Sequence, residues 1–144
     1  MDIRIEKRDS VTISGYLIET LATDASYDAK TIALRSQYEA SLKANASQLY
    51  GATWFTDDEK LYYLFGTAQN NSTCSDQVTI PGGTFAVATV PENMPLIQAW
   101  IKMWEADGLP ATGYAYIEGE KCFELFKENN PREIWVPVGG ESNV

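Results

Sequence analysis

One glutamate, Glu124, stands out because it lies in an otherwise apolar segment. Residues 122–126 read Cys-Phe-Glu-Leu-Phe, and this alternation is typical of a β-strand. The two-residue period places Glu124 on the same strand face as Cys122 and Phe126. A carboxylate among apolar side chains is costly without a cationic or hydrogen-bonding partner, so a buried Glu124 needs one. The alternative interpretation is an exposed position on an edge strand, where the carboxylate is simply solvated.

The pattern around Glu124 occurs twice in the chain. Residues 59–65, Glu-Lys-Leu-Tyr-Tyr-Leu-Phe, align with residues 120–126, Glu-Lys-Cys-Phe-Glu-Leu-Phe, so that Tyr63 stands opposite Glu124. Residues 50–55 correspond to residues 112–117, and residues 13–18 correspond to residues 82–87, where a helical stretch follows in each case. The chain therefore predicts two strand–helix–strand–strand units, residues 11–67 and 78–126, with Tyr63 and Glu124 at matching positions. Two such units most simply form one pseudo-symmetric domain with a binding site along the shared axis.

Two segments have the periodicity of packed helices. Residues 24–45 place Leu34, Tyr38 and Leu42 on one face, and residues 94–107 place Trp100 and Trp104 in an apolar stripe. Residues 51–55 and 61–67 are predicted to form one hairpin, and residues 112–126 a second. We expect residues 1–138 to form a single domain and residues 139–144 to be a flexible tail.

The composition excludes several classes of function. The 144-residue chain has a formal net charge of −9 and no basic cluster, so direct nucleic-acid binding is not expected. The absence of His excludes a Ser-His-Asp or Cys-His nucleophile and a His-ligated metal. Cys74 and Cys122 form neither a metal-binding pattern nor a disulfide framework. We therefore expect no metal or cofactor, no membrane association and a cytoplasmic location.

Three motifs in the second half of the chain resemble a known family. They are Thr112-Gly113-Tyr114, Phe123-Glu124-Leu125-Phe126 and residues 133–138, Glu-Ile-Trp-Val-Pro-Val. Their order and spacing resemble the GyrI-like small-molecule-binding domain, which is also the effector-binding domain of AraC- and MerR-type multidrug-responsive regulators. The chain further resembles a stand-alone cationic-drug-binding protein of this family carried on an integron gene cassette. No helix-turn-helix segment is present, so a separate DNA-binding regulator would have to supply transcriptional control.

The resemblance implies a fold and a role for Glu124. The fold is α+β, with duplicated strand–helix–strand–strand units that form one mainly antiparallel sheet and two helices around an aromatic cleft. The resemblance also implies that Glu124 pairs with cationic drugs or dyes. In the ligand-free protein we expect this carboxylate to be unpaired in apolar surroundings, with a raised pKa.

The leading functional hypothesis is non-catalytic binding of lipophilic organic cations, because aromatic walls and one buried carboxylate together suit such ligands. Two other hypotheses remain open. One is a protein-interaction module, such as a gyrase-inhibitor-like or regulator-binding protein, that uses an acidic surface. The other is a hydrolase of electrophilic small molecules in which Glu124 activates water. The aromatic residues that we expect around Glu124, each of which could instead be plain hydrophobic core, are Trp54, Tyr63, Phe65, Phe85, Trp100, Tyr114, Tyr116 and Trp135.

Overall fold

The computed structural model describes residues 1–44, 46–68, 76–128 and 132–141, so Cys74 and residues 142–144 lie outside the described ranges. Within these ranges the chain forms nine strands, two α-helices and one 3₁₀ helix. The helices are α1 (Tyr27–Lys43) and α2 (Leu96–Trp104), and the 3₁₀ helix spans Leu109–Thr112. The strands are β1 (Ile3–Arg8), β2 (Val11–Leu21), β3 (Gln48–Phe55), β4 (Lys60–Thr67), β5 (Asp76–Ile80), β6 (Gly83–Val90), β7 (Tyr114–Tyr116), β8 (Cys122–Lys127) and β9 (Arg132–Glu141).

The strands form one sheet in the order β1-β6-β9-β8-β3-β4-β2-β5, and β7 pairs with β9 outside this path. All of the pairings between described strands are antiparallel. The predicted α+β class, with one mainly antiparallel sheet and two helices, is confirmed. No helix in the described part of the chain combines the length and the apolarity needed to cross a bilayer.

Both helices are shorter than their periodicity predicts. Helix α1 begins at Tyr27 because the Asp24 carboxylate accepts a hydrogen bond of 2.8 Å from the backbone N–H of Ser26 and so forms a turn ahead of the helix. Helix α2 begins at Leu96, directly after Pro95, whose extended backbone precedes the first helical turn. Both predicted helices are present, but the face that α2 buries in the core carries Leu96, Ala99 and Met103, and Trp104 of the predicted stripe is 45% exposed.

The duplication is present, but its strand correspondence differs from the prediction. The sheet order places β8 beside β3, with β9 and β4 flanking this central pair, then β6 and β2, then β1 and β5. The two units are therefore β2-α1-β3-β4 and β6-α2-β8-β9, so that β8 is equivalent to β3 and not to β4. The expected match of Tyr63 on β4 with Glu124 on β8 is wrong. A short alternation of charged, apolar and aromatic residues recurs on β4 and β8, which are separated by β3, and does not define which strands are equivalent.

The predicted second hairpin, residues 112–126, does not form, because β7 and β8 do not pair with each other. Strand β7 pairs with the end of β9, where Ala115 lies opposite Gly139 and Tyr116 opposite Val138, whereas β8 pairs with β3 and β9. Residues 139–141 consequently continue β9 and do not belong to a loose tail. The partner strand β7 gives the backbone of these residues hydrogen bonds that the sequence pattern did not reveal.

The two faces of the sheet pack against different partners. The helix-side face carries Cys122, Glu124 and Phe126 of β8, and it is covered by α1 and α2. The opposite face carries Phe123 and Leu125, which belong to a separate buried cluster. Because central strands bury both faces, the buried residues 122–125 of β8 are apolar except for Glu124.

Candidate functional site

A cavity of about 340 Å³ lies between α1, α2 and the helix-side face of the sheet. Its volume falls within the range of about 300–1,000 Å³ that is typical of small-molecule sites. Its walls are mostly aromatic and aliphatic, and a few polar groups interrupt them. The lining residues are Tyr27, Asp28, Thr31 and Arg35 of α1, Thr53, Trp54, Phe55, Leu61 and Tyr63 of the β3–β4 hairpin, Leu96, Ile97, Trp100 and Trp104 of α2, and Tyr116, Cys122 and Glu124.

Glu124 lies in the wall of this cavity and is 5% exposed. The Tyr63 hydroxyl donates a hydrogen bond of 2.7 Å to Oε1, and the Trp100 indole N–H donates one of 2.8 Å to Oε2. Arg35 approaches from α1, with Nη1 3.8 Å from Oε1. The carboxylate is therefore not unpaired in the ligand-free protein, contrary to the expectation from the sequence. Two fixed donors orient both of its oxygens, and one cation lies at the edge of ion-pair distance.

The contact between Tyr63 and Glu124 depends on Gly51. Strand β3 lies between β4 and β8, and Gly51 on β3 pairs with Glu124. A Cβ atom at position 51 would lie 2.2 Å from the Tyr63 hydroxyl and 2.7 Å from Oε1 of Glu124. Glycine thus leaves the space in which the two side chains meet across the intervening strand. A glycine inside a strand is the sequence signal that could have indicated this close approach.

The electrostatics of the site are dominated by burial. Removal from water raises the pKa of Glu124, although Arg35, Trp100 and Tyr63 each lower it. Burial, with the nearby Glu124 charge, also raises the pKa of Tyr63 well above its usual value, so the hydroxyl stays a donor. The expected raised pKa of Glu124 is thus found despite the hydrogen bonds. An ionised Glu124 is costly in this cavity, and an added cation would lower that cost.

Arg35 is a member of the site that sequence reasoning missed. Its side chain is 16% exposed, its Nη1 donates a hydrogen bond of 3.2 Å to the Tyr63 hydroxyl, and its guanidinium lies 5.7 Å from the Phe126 ring centroid. Tyr27, Thr31 and Arg35 recur at four-residue spacing, which places them together on one face of α1. This polar stripe, beside the apolar stripe used to predict the helix, was the available signal.

The structure brings four of the predicted aromatic residues to the cavity. Tyr63 and Trp100 bind the carboxylate, and the Tyr116 ring meets Trp104 edge-on at a centroid distance of 5.5 Å. Trp54 also borders the cavity, but its ring stacks on Tyr62 at 5.4 Å, on the opposite face of the hairpin. Trp54 therefore contacts the cavity from its margin.

The other four predicted aromatic residues lie elsewhere. Tyr114 packs against the cluster beneath α2, and Phe65 lines a smaller neighbouring cavity. Phe85 and Trp135 lie on the opposite face of the sheet, where their rings are 5.6 Å apart. The placement of Phe85 and Trp135 around Glu124 was thus incorrect. Strand alternation fixes which residues share a face but does not identify which face the helices cover.

The arrangement is suited to holding a flat or bulky cation without forming a covalent bond. Apolar walls provide burial, aromatic faces provide cation–π attraction, and the carboxylate provides the compensating charge. Exposed apolar side chains, Phe55 and Trp104 among them, lie at the margin of the cavity. An apolar ligand can therefore make apolar contacts with these side chains as it enters the cavity.

The chain was compared with known families and structures. The family model of the integron-associated effector-binding proteins (Cass2) matches residues 4–138. This match confirms the predicted resemblance to effector-binding domains and to integron-cassette proteins. No curated protein sequence matches the chain significantly.

Solved structures share the fold at low sequence identity. The structure of SAV2435 bound to tetraphenylphosphonium has a TM-score of 0.75 at 18% identity, and the match covers 97% of this chain and 95% of that one. The Vibrio cholerae integron cassette protein VCH_CASS2 has a TM-score of 0.71 at 18% identity, covering 95% of each chain. A putative transcription regulation protein from Staphylococcus aureus MU50 has a TM-score of 0.63 at 19% identity, covering 97% and 99%. At these identities the matches establish the fold.

Proposed function

We propose that this chain, which belongs to the family of integron-associated effector-binding proteins, reversibly binds lipophilic aromatic cations in the Glu124 cavity. The observation that carries the proposal is a buried carboxylate whose pKa is raised, set in the wall of an otherwise apolar cavity. A group of this kind costs stability when ionised, and it is retained where a ligand uses its charge.

The energetics favour a charged aromatic ligand over a neutral one. A cation about 4 Å from the carboxylate gains on the order of 4 kcal/mol of Coulomb energy at an effective dielectric constant near 20. Desolvation of both charges takes back much of this gain, so a net contribution of about 1–3 kcal/mol is reasonable. Weakly hydrated cations with delocalised charge lose the least water, and the aromatic walls compensate part of that loss. Small, strongly hydrated amines are therefore expected to bind poorly.

The comparisons support this class of ligand. The structure of SAV2435, which shares the fold, is bound to tetraphenylphosphonium, a cation of the proposed kind. The family name itself describes the binding of an effector. For transcriptional control, we propose that a separate DNA-binding regulator would act together with this chain, because the net charge of −9 opposes contact with DNA. The match to a putative transcription regulation protein fits such a partnership.

A calorimetric titration with tetraphenylphosphonium tests the proposal, with neutral triphenylphosphine oxide as the uncharged comparison. Glu124→Gln removes the charge and keeps the shape of the side chain, so we expect the affinity for the cation to fall about 10- to 100-fold, or about 1–3 kcal/mol. The affinity for the neutral compound should change less than about twofold, because the aromatic walls are intact.

Glu133→Gln is the matched control. Glu133 is equally buried but does not line the cavity, so its removal should leave the cation affinity unchanged in protein that is still folded. Equal binding of the cation by wild type and by the Glu124 variant would refute the proposed role of the carboxylate. A wild-type protein that binds no lipophilic cation would refute the function itself.

A further inference from the structure

The Glu124 cavity already contains a cation that belongs to the chain. The Arg35 guanidinium lies 3.8 Å from Oε1 of Glu124. Burial lowers the pKa of Arg35, but its interactions with Tyr63 and Glu124 outweigh burial and leave the pKa raised, so the guanidinium is charged. The cavity without ligand therefore pairs a carboxylate with a guanidinium. Any cationic ligand that approaches Oε1 must share this position with Arg35 or replace it.

The contacts that hold Arg35 beside Glu124 are weak. At 3.8 Å the Nη1–Oε1 distance is too long for a hydrogen bond, and Nη1 instead donates to the Tyr63 hydroxyl at 3.2 Å. The guanidinium also lies 5.8 Å and 5.7 Å from the ring centroids of Tyr63 and Phe126. The oriented donors of the carboxylate are Tyr63 and Trp100, and neither depends on Arg35 for its bond to Glu124. Arg35 can therefore leave while the Glu124 carboxylate keeps its orientation.

A second cavity lies next to the first. A smaller cavity of about 190 Å³, called here the side cavity, is lined by Arg35, Glu39, Leu49, Phe65, Leu96, Phe126 and Arg132. Arg35 thus borders both cavities. Glu39 follows it by one helical turn on α1, the spacing at which Arg and Glu side chains form ion pairs on a helix. The Glu39 side chain is 51% exposed and pairs with Lys43 at 2.7 Å, so its carboxylate lies at the solvent-facing rim of the side cavity.

We propose that Arg35 is a built-in competitor of the ligand: an organic cation binds by replacing its guanidinium at Glu124, and Arg35 moves into the side cavity towards Glu39. This inference rests on the proposed function of the Glu124 cavity. It implies that Arg35 determines which ligands can bind. A cation must outcompete a weakly hydrated guanidinium, which bulky aromatic cations do through the apolar walls and small amines do not. A neutral ligand has no charge with which to replace Arg35.

The test uses Arg35→Met, which removes the charge but keeps an apolar stem, and Arg35→Lys, which keeps the charge. Titrations with tetraphenylphosphonium are made at several pH values from about 7 to 9, and affinities are compared where they no longer change with pH. We expect Arg35→Met to bind the cation at least about 10-fold more tightly than wild type, and Arg35→Lys to remain within about threefold of wild type. Triphenylphosphine oxide should bind all three proteins within about twofold of one another. In the double variant with Glu124→Gln, the gain should disappear.

A second measurement needs no variant of uncertain stability. In ¹⁵N-labelled wild-type protein, the Arg35 Nε–H resonance should shift when tetraphenylphosphonium is added, since the guanidinium leaves the Tyr63 and Phe126 rings. Triphenylphosphine oxide leaves the guanidinium in place, so its rings alone should shift the resonance less than the cation does.

The outcomes separate this inference from the proposed function. If wild type binds the cation through Glu124 but Arg35→Met binds it no more tightly, or the Arg35 resonance does not move, the competitor role is overturned and cation binding stands. If neither wild type nor Arg35→Met binds the cation, the proposed function fails, and the inference fails with it.

Discussion

Among the residues whose burial the structure describes, each face of the sheet buries one glutamate, and the two glutamates behave in opposite ways. Glu124 lies on the helix-side face of β8, and Glu133 lies on the opposite face of the adjacent strand β9. Both are 5% exposed, and each accepts a hydrogen bond from an indole N–H, at 2.8 Å from Trp100 and at 3.2 Å from Trp135. Residue type, solvent exposure and one indole donor are therefore the same at the two positions.

The difference lies in the cations that surround each carboxylate. Glu133 receives Arg4 at 2.5 Å and Lys127 at 3.3 Å, and although burial raises its pKa, the hydrogen bonds of Arg4 and Trp135 and these charges outweigh burial and lower it. Glu124 has Arg35 at 3.8 Å, and burial prevails, so its pKa is raised. Glu133 is neutralised by the fold, whereas Glu124 is only partly neutralised. The comparison teaches that incomplete compensation, and not burial alone, distinguishes a ligand-binding carboxylate from a structural one.

The largest expected effect is the loss of stability when Glu133, the structural glutamate, is replaced. Replacing Glu133 with Gln leaves Arg4 and Lys127 without their carboxylate, so we expect the free energy of unfolding to fall by about 2–3 kcal/mol near pH 7, at the lower end for a buried pair because Arg4 is partly exposed. Glu124→Gln should change it by less than about 1 kcal/mol, because the lost Arg35 contact and the removed charge oppose each other. Urea denaturation measures both, and equal losses in the two variants would break the comparison.

A smaller effect is the pH dependence, which should have opposite signs at the two positions. The folded pKa of Glu124 lies above the unfolded value of about 4.3, so the wild type loses stability as pH rises through the interval between them. The folded pKa of Glu133 lies below that value, so its stabilisation is present above about pH 4.3 and is lost as pH falls through the folded pKa.

Other titrating groups affect the wild type and each Gln variant alike. The free energy of unfolding of the wild type minus that of the variant therefore isolates the contribution of the replaced glutamate. On lowering the pH from 7 to 4, the difference for Glu124 should move in favour of the wild type, by about 1.4 kcal/mol for each unit between the folded and unfolded pKa values. The difference for Glu133 should begin to shrink at the low end of this range. Shifts of the same sign at both positions would contradict the assignment of opposite roles.

Much of the fold could be predicted from the sequence because local patterns determine it. The alternation on β4 and β8 and the apolar stripes of α1 and α2 identified these elements, and the duplication indicated the α+β class. The correspondence between the two units could not be obtained in this way. Equivalence of β8 with β3 is set by the order of strands in the sheet, which depends on contacts between distant segments.

The candidate site was predicted only in part, because local patterns identify single residues but not the contacts between distant segments. Glu124 and Tyr63 were identified from their pattern, and their direct contact across Gly51 is a tertiary feature. Phe85 and Trp135 fit an aromatic cleft by composition, yet they lie on the other face, since central strands are apolar on both sides. Arg35 was missed because a charged residue on a helix is usually solvated; the polar stripe of α1 places it beside Tyr27 and Thr31, but its approach to a buried carboxylate is a tertiary contact.

The position of a bound cation in a crystal shows directly whether lipophilic cations bind in the Glu124 cavity. Tetraphenylarsonium has the shape and charge of tetraphenylphosphonium, and its arsenic atom can be located by anomalous scattering. Our account predicts one arsenic peak within the Glu124 cavity, between α1 and α2, in wild-type crystals and a much weaker peak in crystals of Glu124→Gln. A peak on the opposite face beside Trp135, or peaks scattered over the acidic surface with none in the Glu124 cavity, would contradict it.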